Sequence, residues 1–264
     1  MDKLLGQINL ETPPKKVLEI IAHTRERKYE SEKTLKLIEK AVEMTHDYIV
    51  NLYFERAHIY QHIYMTERDK LGKGHKKRMV KGLKKMEKFT RETGKYIREN
   101  KLGRWLHRIY RFYGKIEEYK RNYNKAVNYY RKSLKYWRTD PEVVREGLPR
   151  NLELSGFLAS ALIMSGKSEA GLKLAKSTYG KYETTKEGKA LKKKDYTTWA
   201  IWRTGCAIYA ARGLLEGKVK IDKKLVLDWL TEAEKFLNPP KSVKVWADFQ
   251  FRKDEIKALK KLLD

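Results

Sequence analysis

Histidines, carboxylates and clustered cations are the side chains whose spacing could support chemistry in this chain. His58 and His62 lie four residues apart, so a helix would present them on one side, which is a metal-ligand spacing. Glu43-x-x-His46 and Glu55-x-x-His58 both match the Glu-x-x-His element of dinuclear iron bundles. Such a centre needs its two motifs on separate helices, with two further inward carboxylates. These motifs start only 12 residues apart, so the match reads as coincidence and no metal ligands are assigned. Gly72-Lys73-Gly74-His75-Lys76-Lys77 has the composition of a phosphate loop. It lacks the preceding strand and the Gly-Lys-Ser/Thr ending, and reads as a solvated turn. The single cysteine, Cys206, sits in the apolar stretch Thr204-Gly205-Cys206-Ala207-Ile208. With no second cysteine or neighbouring histidine it reads as a small packed side chain. No zinc-protease motif or nucleotide fingerprint occurs, and nothing points to a nucleophile triad. The expectation is a non-enzyme without cofactor.

Charge is the most informative quantity. The chain has 264 residues and a formal net charge of +26. From Arg68 to Arg121 there are 20 Lys plus Arg against 6 Asp plus Glu, a net of +14 in 54 residues. More than half of the excess therefore lies in one fifth of the chain. Such a field attracts polyanions or acidic protein surfaces. Seventeen tyrosines and six tryptophans interleave with these cations. They read either as stacking platforms beside phosphate contacts or, on the stronger reading, as rings buried between helices.

The elements that must position these groups are helices. Charged residues make up 36% of the chain and hydrophobic ones 41%, a mix that suits long solvated helices. Six prolines, four of them paired at Pro13-Pro14 and Pro239-Pro240, leave long helix-compatible stretches. Clear strand signals are missing. Apolar faces at three-and-four spacing begin with Leu18, Ile21 and Ala22, break at 25–28, and resume with Leu35, Ile38, Ala41 and Val42. Further helices are expected over 49–69, then through Met79, Leu83, Met86 and Phe89 to Gly94, and over 105–118, 124–137, 152–164, 169–179, 197–215, 225–237 and 245–263. Thr139-Asp140-Pro141 closes one pair, and 182–195 reads as an exposed lysine-rich connection. The sequence shows neither a signal peptide nor a membrane span: Arg203 and Arg212 interrupt its most hydrophobic region. A cytoplasmic location without membrane insertion is the default.

The spacing of Tyr110, Tyr113-Gly114, Tyr123, Ala126, Tyr130 and Ser133 resembles a tetratricopeptide repeat. Gly114 and Ala126 are small where two helices must touch, and Tyr123 and Tyr130 are placed to wedge between hairpins. Glu117 departs from the family's preference for Tyr, and Pro141 falls three residues late. A second match covers 152–179, where Ala170, Leu174 and Ser177 repeat the spacing of Ala126, Tyr130 and Ser133. The resemblance is close over 105–141 and 152–179 and loose elsewhere. It implies an all-α fold: a right-handed α-solenoid of about five helical hairpins plus a C-terminal helix, in a single domain over 1–264.

The same resemblance implies a protein-interaction scaffold that holds an extended, acidic ligand on the inner face of each hairpin's first helix. Spacing against the packing residues puts Asn51, Phe54, His58, Gln61 and His62 on that face in the second hairpin. In the third it puts Arg108, Arg111, Lys115 and Tyr119 there, and in the fifth Arg203. Asn51 with Arg108, Arg111 and Lys115 partly echoes the carboxylate clamp of related repeats. Arg108, Arg111 and Lys115 are expected to be exposed and dispensable for folding. The alternative is an RNA- or DNA-binding helical-repeat protein that uses the basic surface of 68–121.

Overall fold

The computed structural model of the chain describes residues 9, 12–14, 16, 17, 19–21, 31–68, 70, 72–217 and 222–263. Among them every regular element is helical and no strand occurs. The helices are α1 Ser31–Arg68, α2 Lys73–Glu99, α3 Leu106–Tyr119, α4 Tyr123–Tyr136, α5 Pro141–Glu146, α6 Arg150–Met164, α7 Ser168–Thr184, α8 Lys186–Lys194, α9 Tyr196–Glu216, α10 Lys223–Phe236 and α11 Gln250–Lys260. Single 3-10 turns precede α3 and follow α4. None of the described helices is long and apolar enough to cross a membrane.

The chain divides into two compact units, residues 1–56 and residues 57–264. In the first, Val17 and Leu37 are buried, flanked by Ile20, Ile21, Ala41 and Met44. Ile38 and Val42, expected on the buried face, are exposed, and Leu37 carries that face instead. The expected positions Leu18 and Ala22, the break at 25–28 and the side chain of Leu35 lie outside the described residues. Where two helices were expected, at 35–42 and 49–69, there is one helix of 38 residues. No glycine or proline lies between Ser31 and Arg68, and polar residues alone do not end a helix.

In the second unit neighbouring helices pair through short turns: α3 with α4 and α6 with α7, while α9 packs on α6, α7 and α10, and α2 packs on α3. The turns share one geometry. Arg121 has φ 63°; its N–H bonds Glu118 O and the Asn122 N–H bonds Glu117 O. Gly166 has φ 86°, with Gly166 N–H to Ile163 O and Lys167 N–H to Leu162 O. Lys101, at φ 56°, closes α2 the same way, through Arg98 O and Ile97 O. These are Schellman closures, which use the left-handed residue to satisfy the last helix carbonyls.

The two hairpins also match in their close contacts, with a register that corrects the one read from sequence. A Cβ on Gly114 would lie 2.5 Å from the Tyr130 ring, and Ala126, Tyr130 and Ser133 are fully buried. In the next hairpin a Cβ on Gly171 would lie 2.6 Å from Ala159 O. There Ala175 and Thr178 are buried, whereas Ala170 and Ser177 are exposed. The equivalents of Ala126, Tyr130 and Ser133 are thus Gly171, Ala175 and Thr178, one residue later than expected. The glycine decides this, because only a residue without Cβ lets the two backbones approach so closely.

Three further expectations change. Residues 182–195 are not an irregular connection: α7 continues to Thr184 and α8 follows, seated by buried Leu191. Asp140 does not merely end a hairpin; it caps α5, accepting from Glu142 N at 2.9 Å and Val143 N at 3.2 Å, with Pro141 in the first turn. The last helix starts at Gln250, not near 245. The main core joins Tyr130, Phe157, Tyr182, Trp199 and the alanines of α6 and α9. Cys206 lies in it, its thiol pushed up to about 12 by burial, as befits a packed side chain.

Candidate nucleic-acid interface

The cations expected to face a ligand on α3 are buried and already paired. Of Trp105, Ile109, Phe112, Tyr113 and Ile116, whose spacing implies one packing side, all are buried except Tyr113, which is half-buried. A neighbouring flank of the helix, about a quarter-turn round, receives carboxylates from Asp140, from Glu142 of α5 and from Glu153 of α6. Arg108 Nε donates to Asp140 Oδ2 at 2.8 Å, and its Nη2 pairs with Glu142. Arg111 Nη1 donates to Glu153 Oε1 at 2.9 Å, and its Nη2 meets His58 Nε2 at 2.7 Å. Arg150 links the two halves, to Glu142 and to Glu153, both at 2.8 Å. Three arginines and three carboxylates thus form one charge-balanced network. His107 adds to it, its Nδ1 3.0 Å from Asp140 Oδ2. Burial lowers the His107 pKa and the neighbouring Asp140 opposes this.

Lys115 is only 2% exposed. Its ammonium sits 4.0 Å from the centre of the Phe157 ring and 4.3 Å from that of Tyr209, with Glu118 at 3.2 Å. The Tyr130 hydroxyl donates to the same carboxylate at 2.6 Å. Arg203 is buried likewise, paired with Glu183 at 2.7 Å and lying over the Phe236 and Tyr179 rings. The expectation that Arg108, Arg111 and Lys115 are exposed is therefore overturned: all three are buried and paired with carboxylates.

Of the other site residues, His58, Gln61 and His62 line one pocket with Arg111, and the rest lie apart from it. Asn51 is half-buried and Phe54 fully buried, both in the first unit. His58 is half-buried against Phe112. His62 is exposed, its ring edge-on to Phe251, and Tyr119 is half-buried, stacked on Tyr64 at 4.0 Å. Gln61 is buried, and its amide oxygen has no hydrogen-bond partner. Among the described residues no three His, Cys, Asp or Glu side chains gather in a way that could hold a metal.

The exposed positive charge lies on α2. Gly82 seats this helix, because a Cβ there would be 3.3 Å from Ile63 and 3.4 Å from Tyr60 O. Met86, Thr90, Thr93, Gly94 and Ile97 continue the buried face. The outer face carries Lys73, Lys77, Lys81, Lys84, Lys88, Arg91, Lys95 and Arg98, all exposed. Their steps of three and four residues make one stripe, about 37 Å long at 1.5 Å per residue. Between Lys73 and Met86 there is no carboxylate. Glu67 neutralises part of the start of the helix. It lies 2.6 Å from His75 Nδ1, 2.8 Å from Arg78 Nε and 3.3 Å from Lys70. Among the described residues no carboxylate pairs with Lys73, Lys77, Lys81 or Lys84. The first turn of α2 has lysines and no acidic residue, although the helix dipole favours negative charge there.

α2 leads onto a surface of half-buried tyrosines. Gly94 abuts α3, where a Cβ would meet the Tyr113 hydroxyl at 2.8 Å. Tyr113 lies 5.4 Å from Tyr129, and Tyr110 stacks near Tyr129 at 6.3 Å and Tyr136 at 5.8 Å. All four rings are half-buried. Lys132 lies over the Tyr110 and Tyr129 rings, Lys135 over Tyr136, and Arg138 over Trp137. Residues 120–139, which include α4, have seven cations and no carboxylate.

No protein-family model, curated protein or solved structure matches the chain.

Proposed function

We propose that the chain is a non-enzymatic scaffold of stacked helical hairpins, built on the tetratricopeptide plan as an α-solenoid, that binds single-stranded nucleic acid on the face formed by α2, α3 and α4. The repeat reading is supported by equal intervals. Gly114, Arg121, Ala126, Tyr130 and Ser133 recur, 45 residues on, as Ala159, Gly166, Gly171, Ala175 and Thr178.

The observation that carries the binding reading is the exposed, carboxylate-free start of α2. Unpaired lysines on a helix N-terminus repel one another and oppose the helix dipole. A phosphate backbone would relieve both. Beside this stripe the rings of Tyr110, Tyr113, Tyr129 and Tyr136 offer partly open aromatic faces among cations. Charged tracks flanked by stacking platforms suit single strands, whose bases are free to stack. The rival face, around Arg108, Arg111 and Lys115, has its charge balanced internally and offers an acidic ligand little.

The test is a titration with a labelled U-tract and with a duplex of equal length. The proposal expects tighter binding of the single strand. Tyr129→Leu with Tyr136→Leu should weaken the single strand by about tenfold or more, at ~1–3 kcal/mol per lost stack, and leave the duplex unchanged. Preference for the duplex, or indifference to both substitutions, would exclude the stacking face.

A further inference from the structure

A recess lies on other elements, between α8 and the segment that follows α10. α8 is held close to α7: Thr185 caps it, accepting from Gly188 N at 3.1 Å, and a Cβ on Gly188 would lie 2.6 Å from Lys181 O and Tyr182 O. Buried Leu191 completes the seat. Across from α8, α10 ends with buried Leu237, and Pro239-Pro240 prevent its continuation. Between them is a groove of about 810 Å³, within the ordinary range of ligand sites.

The groove has an apolar floor and a cationic rim. Tyr196, Phe236, Pro239 and Val243 form the floor, all half-buried. The Tyr196 hydroxyl donates to Phe236 O at 3.0 Å, which ties the two walls together. Lys189, Lys193, Lys235 and Lys244 stand on the rim, all exposed. Among the described residues no carboxylate pairs with any of the four. Lys192 and Lys194, also at the groove, are partly neutralised by Glu183 at 3.0 Å and Glu146 at 3.8 Å.

We infer that this groove binds an acidic peptide segment carrying apolar anchor side chains. The charge complementarity is direct: four unpaired ammonium groups face any chain lying in the groove, and separate carboxylates along a peptide match separate lysines. The floor sets the second requirement. A proline, phenylalanine and valine surface gains by covering a Leu or Phe side chain, whereas the polar edge of a base would lose its hydrogen bonds there. The groove shares no residue with the face proposed for nucleic acid, so the two sites can be tested separately.

The experiment uses the full chain and fluorescence polarisation with two labelled nine-residue probes. One alternates Glu with Leu and Phe; the other replaces every Leu and Phe with Ser at the same charge. The apolar-bearing probe should bind about tenfold tighter or more, the worth of one buried apolar side chain. Lys189→Glu, Lys193→Glu, Lys235→Glu and Lys244→Glu together should abolish that binding while the thermal melt is unchanged, since all four side chains are exposed. Lys77→Gln, Lys81→Gln, Lys84→Gln and Lys88→Gln together should leave it intact. Equal affinity for both probes would overturn the inference, as would equal loss in the two quadruple variants. So would displacement of the peptide by a U-tract at the same concentration as by unlabelled peptide.

Discussion

Replacing Glu153 by Gln tests whether the buried charge network holds the hairpins together. Glu153 is 8% exposed and accepts from Arg111 at 2.9 Å and from Arg150 at 2.8 Å. Burial alone would raise its carboxyl pKa; Arg111 and Arg150 outweigh this and hold it at about 2 against an ordinary 4.5. That difference corresponds to about 3 kcal/mol of stabilisation at neutral pH. Removing one member of a buried ion pair costs ~3–5 kcal/mol in general. The lower end applies here, because Arg150 keeps Glu142 and Arg111 keeps His58. The sign follows from the lowered pKa: the contribution is complete above pH 4.5 and is lost as pH falls toward 2. Urea unfolding of Glu153→Gln and of the unmodified chain, at pH 7, 5, 4 and 3, measures it. Urea is required because guanidinium would screen the charges. The expected difference is about 3 kcal/mol at pH 7 and 5, shrinking below pH 4.5. A difference under about 0.5 kcal/mol at pH 7, the scale of an ordinary surface change, would refute the reasoning. So would one that stays constant down to pH 3.

Two other substitutions test the hairpin geometry. Gly114→Ala should destabilise by ~1–3 kcal/mol in a denaturant midpoint. The new Cβ meets Tyr130 at 2.5 Å, and that ring is buried and tethered to Glu118, so it has no room to yield. Arg121→Gly should stabilise by about 0.5–1 kcal/mol in the same assay, because φ 63° strains an L-residue and suits glycine. A loss of stability there would show that the Arg121 side chain outweighs its backbone cost.

Much of the fold was legible in the sequence. The small residues Gly114 and Ala126, the ring of Tyr130 and the buried row Trp105, Ile109, Phe112 and Ile116 fall where their spacing places them, whereas Tyr113 and Tyr123, placed by the same spacing, are only half-buried. Register was lost where glycine and alanine stand side by side: Ala170 and Gly171 are both small, and only the contact with Ala159 O tells them apart. The helices expected at 35–42 and 49–69 are one because the stretch that joins them contains neither glycine nor proline. The candidate site was misread for a different reason. Arg108, Arg111 and Lys115 share a face by periodicity, but their partners Asp140, Glu142, Glu153, Phe157 and Tyr209 come from other helices. No local pattern says whether a row of cations meets water or the carboxylates of a distant segment. Asp140 before Pro141 carried a readable helix-start signal, and only its burial shows that the same carboxylate also anchors α3. The lysines of α2 were the readable part, because a stretch without any carboxylate of its own can be neutralised only from outside, and Glu67 reaches only His75 and Arg78 of it.

The central claim rests on those lysines. Lys77→Gln, Lys81→Gln, Lys84→Gln and Lys88→Gln together remove four exposed charges and should leave the helical spectrum and melt unaltered. Binding of a labelled U-tract, followed across a range of salt concentration, measures what they do. Weaker binding is expected, with a log–log salt slope shallower by about 2.8, from four contacts at about 0.7 each on a single strand. Unchanged affinity and an unchanged slope would contradict it.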